Sequence, residues 1–233
     1  MPLKSLCYRF IRCLPFILVM ICHCAYAQPA AVFSELEYRF ETAVEGERIQ
    51  HAFTVTNKGS SVLKILSASV SCSCTTVQFD QEPIAPGETG KIAVNFNTDG
   101  YGGRQARVDI AVVTNTPGSA PVQLTVSGKV DQLFTMTPAI VRLEGAAGEV
   151  LSRTVTIRPI PRYGLTIVKA AAQKGDHMRF ELQEDHDGAQ RIYRLNVEVC
   201  KKAQGIYFDK ILLTTNNPVK PEIRVAVFAK IAG

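Results

Sequence analysis

Apolar and polar residues alternate with a period of two through His51-Ala52-Phe53-Thr54-Val55, Lys91 to Phe96, Arg107 to Val112, Val122 to Val126 and Tyr193 to Val199. β-branched and aromatic side chains occupy the apolar positions, the mark of half-buried strands. Asn57-Lys58-Gly59, Pro86-Gly87, Gly100-Tyr101-Gly102-Gly103 and Pro117-Gly118 break the pattern at intervals and predict turns. No stretch keeps helical periodicity over three turns. About seven short strands per hundred residues, separated by such turns, predict an all-β immunoglobulin-like sandwich. The chain has no Trp, so the buried tryptophan of antibody domains is absent and the similarity is architectural.

The pattern also repeats. Val94-Asn95-Phe96 matches Leu195-Asn196-Val197, and Thr114-Asn115-Thr116-Pro117 matches Thr215-Asn216-Asn217-Pro218, both at an offset of 101. Leu63-Lys64-Ile65 with Leu165-Thr166-Ile167, and Val126 to Val130 with Val227 to Ile231, keep nearly the same register. The expectation is one duplicated module, giving tandem domains over 28–130 and 131–233, coupled without a Gly/Ser-rich linker.

Residues 1–27 read differently. Lys4, Arg9 and Arg12 precede an apolar run from Leu14 to Cys22, and Ala25-Tyr26-Ala27 follows. This is the layout of a secretory signal peptide cleaved after Ala27. Cleavage would leave 206 of the 233 residues, take Lys+Arg from 26 to 23 against 21 Asp+Glu, and reduce the net charge from +5 to +2. A balance so near neutral argues against nucleic acid as a partner. No later segment is apolar enough to span a membrane, so a periplasmic or secreted protein is expected.

Several motifs together resemble a known family: Phe53-Thr54-Val55-Thr56-Asn57-Lys58-Gly59, Leu63-Lys64-Ile65, Ser71-Cys72-Ser73-Cys74-Thr75, Pro83 to Gly90, and Val94 to Thr98 followed by Thr114-Asn115. Residues 33–130 are similar to the bacterial domain of unknown function 1573, which is related to the domains of the major sperm protein, ASPM, SPD-2 and Hydin group. Ser73 stands where that family usually carries Gly. The resemblance implies an exported sandwich with no established enzymatic activity, related to domains that bind other proteins.

Cys72 and Cys74 are the one close pair of reactive groups. Cleavage would leave them with Cys200 out of seven cysteines, an odd count in an oxidising compartment. In a regular strand their Cα atoms would lie roughly 6.5–7 Å apart, at or beyond the limit of about 6.8 Å for a disulfide. Three states stay open: a structural disulfide or buried thiols, a redox-exchanging disulfide, and a soft-metal site such as Cu(I). His51 is a candidate third ligand. Cys200, beside Lys201-Lys202, is expected to be a buried free thiol, with an intermolecular disulfide as the alternative.

Glu184-Asp185-His186-Asp187 reads as a solvated hairpin tip, and Gly100-Tyr101-Gly102-Gly103 lacks the helix and Lys-Ser/Thr pair of a phosphate loop. No catalytic constellation emerges, and no cofactor is expected. The leading expectation is a non-enzymatic binding or scaffolding protein of the bacterial envelope that engages other envelope proteins. The alternatives are a thiol-redox or copper-handling protein using Cys72 and Cys74, and a periplasmic chaperone with Arg39, Arg104 and Arg107 as available basic residues.

Overall fold

The computed structural model describes residues 27–200 and 203–233. The first sandwich has one antiparallel sheet ordered β1 (Ala31–Phe33), β4 (Arg48–Asn57), β7 (Thr89–Asn97) and β6 (Thr75–Phe79). Its other sheet runs β2 (Glu37–Arg39), β9 (Val122–Asp131), β8 (Arg104–Thr114) and β5 (Ile65–Val70), with β3 (Ala43–Val44) also on β9. The second sandwich repeats this order. Here β10 (Phe134–Thr137), β12 (Ser152–Pro159), β15 (Gln190–Val199) and β14 (Met178–Asp187) face β11 (Ile140–Ala146), β17 (Glu222–Ala232), β16 (Gly205–Thr215) and β13 (Ile167–Ala172). The described residues contain no α-helix, only a 3-10 turn at Pro161–Tyr163.

Alternation builds the two cores. In β4, Phe53 and Val55 are fully buried while Ala52 is exposed; Phe96 of β7 and Ile110 of β8 meet them from the two sheets. Each such side chain contributes roughly 1.5–3 kcal/mol. A second cluster, from Leu133 to Ile231, is centred on Val155, Leu195, Leu213 and Val225.

The predicted strands are present and extend beyond the sequence expectation, β4 and β8 reaching 10 and 11 residues. The two halves agree in fine detail. Asn115 accepts a hydrogen bond from Lys64 N at 2.8 Å and donates to Val62 O at 3.0 Å; Asn216 accepts from Thr166 N at 2.8 Å and donates to Gly164 O at 3.2 Å. A register shift follows at Ile65/Ser67 in one half and at Ile167/Lys169 in the other.

Candidate functional site

Cys72 and Cys74 lie in the connection between β5 and β6, and here the structure departs from the regular strand considered from sequence. The chain bends at Ser71 and turns at Ser73-Cys74, with Thr75 N donating to Cys72 O at 3.3 Å. This draws the Cα atoms to 5.2 Å, and the two sulfurs are bonded. That separation is ordinary for a disulfide. Ser73 achieves it without a left-handed backbone, since no residue other than glycine has positive φ among the described residues. A bridge closing so short a loop gains only about 1.6 kcal/mol from chain entropy, against about 3 kcal/mol for a fifteen-residue loop.

The bridge has an inner and an outer side. Cys74 packs against the first core, and its Sγ receives hydrogen bonds from Tyr101 Oη at 3.5 Å and Thr75 Oγ1 at 3.7 Å, because a bridged sulfur has no proton to donate. Cys72 lies between exposed Ser71 and Ser73 and accepts from Cys74 N at 3.0 Å. Tyr101 Oη is 3.9 Å from Cys72 Sγ. Its ring stands edge-on to Phe96, at 5.2 Å and 82°, and the Arg104 guanidinium lies 5.6 Å from the ring centre. A hairpin turn was expected at Gly100 to Gly103, with no role for Tyr101. The turn is present, but it carries the chain from β7 in one sheet to β8 in the other rather than closing a hairpin, because β7 pairs with β4 and β6 and β8 with β5 and β9. It presents the phenol to the cysteines.

This end of the first sandwich adjoins the second. Fully buried Thr98 binds the β3–β4 turn: its hydroxyl shares its one proton between Val44 O and Glu47 O, at 3.0 and 2.9 Å, and accepts from Gly46 N at 3.0 Å, while its backbone N–H donates to Glu47 O at 3.0 Å. Lys220, from the β16–β17 loop, pairs with Asp99 and stands 3.7 Å from Glu45. Asp131 accepts from Arg162 at 2.5 Å, Tyr163 Oη at 2.9 Å and Lys129 at 3.0 Å. The Lys129 and Tyr163 hydrogen bonds and the Arg162 charge hold its carboxyl below the ordinary aspartate range, against the effect of burial. A cleft of about 830 Å³ opens beside these contacts, with Arg48, Met136, Pro221 and Arg224 among its walls.

The second sandwich makes the corresponding connection, between β13 and β14, without cysteine. Asp209 of β16 is 2% exposed, and its two carboxylate oxygens accept from Lys174 N at 3.1 Å and Gly175 N at 2.9 Å. Burial alone would raise its pKa; the N–H groups of Gly175, Lys210 and Lys174 together outweigh that and lower it. Asp209 pairs with Val227 as Val108 pairs with Val126 in the first sandwich, so a carboxylate here occupies the place of a valine there.

Other candidates take different places. His51 is not with the cysteines: it binds Glu35 at 2.8 Å, stacks on Tyr38 at 3.7 Å and meets Phe53 edge-on at 4.7 Å. Among the described residues no three His, Cys, Asp or Glu side chains come together as a metal site, so reduced Cys72 and Cys74 would offer two protein ligands. Cys200 is exposed, correcting the buried thiol expected from its alternating run, because that run ends one residue earlier at Val199. Glu184 to Asp187 belong to β14 itself, with the turn at Gly188-Ala189. Arg39 and Arg107 pair with Glu37 and Asp109, and Arg104 caps Gly100 O, so none of the three lines the cleft. The residues of the expected signal peptide lie outside the described ones, apart from Ala27.

With this geometry in place, comparison with known proteins adds one family. Residues 31–130 match the model described as Protein of unknown function (DUF1573). The match spans the first sandwich. No curated protein matches the sequence. Similar solved structures include a protein of unknown function from Porphyromonas gingivalis W83, at 12% identity, 86% of this chain, 99% of that one and TM-score 0.37. Another is the ASH/PapD-like domain 7 of human CEP192, at 12% identity, 57% and 97% coverage and TM-score 0.35. The VesB protease of Vibrio cholerae matches at 17% identity, 45% and 32% coverage and TM-score 0.35. Likeness at this level says nothing about what the chain binds or does.

Proposed function

We propose that this is an exported, non-enzymatic binding protein of the bacterial envelope, cleaved after Ala27, whose duplicated modules, 28–130 and 131–233, present a docking face on the second sandwich. The identical asparagine clamps and register shifts of the two halves support the duplication. The docking face carries the reading. On the outer side of the β11-β17-β16 sheet, Phe208 and Phe228 oppose each other with ring centres 4.7 Å apart, at 37% and 41% exposure, beside Ile206 at 79%. Arg142 is in register with Phe228, Lys230 with Ile206, and Lys210 reaches 5.7 Å from the Phe208 ring. None of these three cations forms an ion pair among the described residues.

Exposed aromatic side chains bordered by unpaired cations suit an acidic protein segment carrying apolar anchors. The test is capture from envelope extract by residues 28–233 and by a Phe208→Ser/Phe228→Ser variant. A saturable acidic partner retained by the first and lost by the second is expected. Equal retention would remove this face from the account, and absence of any saturable partner would overturn the binding reading.

A chaperone-like role has one observation in its favour. Arg48 borders the cleft and has no ion pair among the described residues, so it could take a peptide's terminal carboxylate. Peptide affinity that survives Arg48→Glu unchanged would exclude it.

A further inference from the structure

The cysteine turn has features that neither a docking face nor a sandwich requires. The second sandwich keeps the same strand order and makes the equivalent turn with the Asp209 carboxylate. The first has instead a sulfur bridge at the surface, with hydroxyl and amide donors aimed at its two sulfurs. Donors at a sulfur that carries no charge contribute little; the same donors at a thiolate are charge-assisted and contribute more. Their placement favours the state in which the bridge is open.

We propose that Cys72–Cys74 is an exchangeable disulfide that takes two electrons from a dithiol protein of the thioredoxin class, with Cys72 the sulfur attacked and Cys74 the one that leaves. The attacking thiolate forms a bond to Cys72 Sγ on the solvent side, and the Cys72–Cys74 bond breaks. Its electron pair passes to Cys74 Sγ, where the Tyr101 and Thr75 hydroxyls stand at 3.5 and 3.7 Å. The donor's second thiolate then attacks its own sulfur in the mixed disulfide and releases Cys72 as a thiolate. The backbone N–H of Cys74, 3.0 Å from that sulfur in the closed form, is its nearest hydrogen-bond donor. The two protons of the donor thiols end on Cys72 and Cys74, and the donor leaves as a disulfide. Exchange by this route depends on access and on leaving-group stability, and the turn provides both. Tyr101 acts on the leaving sulfur and is a positioning residue; its turn also carries Asp99, which pairs with Lys220 of the second sandwich.

The experiment uses residues 28–233 in a Cys200→Ser background, which removes the exposed third thiol. Thioredoxin with its reductase is added under native conditions, and the reaction is quenched by alkylation and read by intact mass. The expected result is complete reduction with the fold retained, slowed about fivefold by Tyr101→Phe, the loss of one hydrogen bond to the leaving sulfur. Cys74→Ser and Cys72→Ser each leave one thiol. Cys72 should form a mixed disulfide with oxidised glutathione faster than Cys74, and this readout stands even where Tyr101→Phe loosens the turn. A bridge that opens only in denaturant overturns the proposal, as does a pair isolated as thiols that no oxidant closes. Equal rates for Tyr101→Phe and the parent, or faster reaction at Cys74, overturn the assigned polarity. The docking face lies on the other sandwich, so loss of partner capture leaves this result untouched, and the reverse holds.

Discussion

Replacing Asp209 by Ala tests whether the second sandwich holds its β13–β14 turn with a carboxylate. The substitution removes the acceptor for Lys174 N and Gly175 N, at 3.1 and 2.9 Å, and Gly175 holds a left-handed φ of 80° that fixes the turn around those bonds. Hydrogen bonds to a charged group contribute about 1.5–3 kcal/mol each, and the freed amides partly recover by meeting water. The expected loss is about 2–4 kcal/mol, with Asp209→Asn about half as costly because one neutral acceptor remains. The native pKa lies below the unfolded value, so this stability is fully present above the ordinary aspartate range and disappears as pH falls through the folded pKa. Urea unfolding of residues 28–233, followed from neutral pH into acid, measures it, and amide exchange at Lys174 and Gly175 localises it. An Asp209→Ala protein with unchanged midpoint and unchanged exchange at both amides would refute the reasoning.

Three further substitutions extend the account. Cys72→Ser/Cys74→Ser should lower stability by only about 1.6 kcal/mol, the entropy of a three-residue loop, and thermal unfolding should show a folded protein. Thr98→Val removes the three hydroxyl contacts between the β7–β8 and β3–β4 turns while leaving the Thr98 N to Glu47 O bond, and should cost about 2–4 kcal/mol in urea unfolding. Gly46→Ala adds a Cβ 2.9 Å from Val219 O at a φ of 99°, so it should loosen the junction between the sandwiches, visible as a larger radius of gyration by X-ray scattering.

The strands were legible because one face of each is buried and the other is wet, which prints a period of two on the sequence. The match of Asn115 with Asn216 was legible because both perform the same clamp in the same Thr-Asn context. Tyr101 was not legible: a phenol between glycines reads as a turn, and its nearness to the cysteines depends on two sheet-crossing connections, β5–β6 and β7–β8, that meet 27 residues apart in sequence. Asp209 left a signal that could have been read. It occupies an inward position between Tyr207 and Ile211, and a carboxylate there requires donors. The Phe208 and Phe228 face was hidden because apolar residues at outward positions blur the alternation.

The most direct test of the binding account is covalent side-chain footprinting of residues 28–233, alone and with the partner captured from envelope extract. The account predicts protection at Ile206, Phe208 and Phe228 on complex formation. A saturated complex in which these three side chains keep their free reactivity would contradict it.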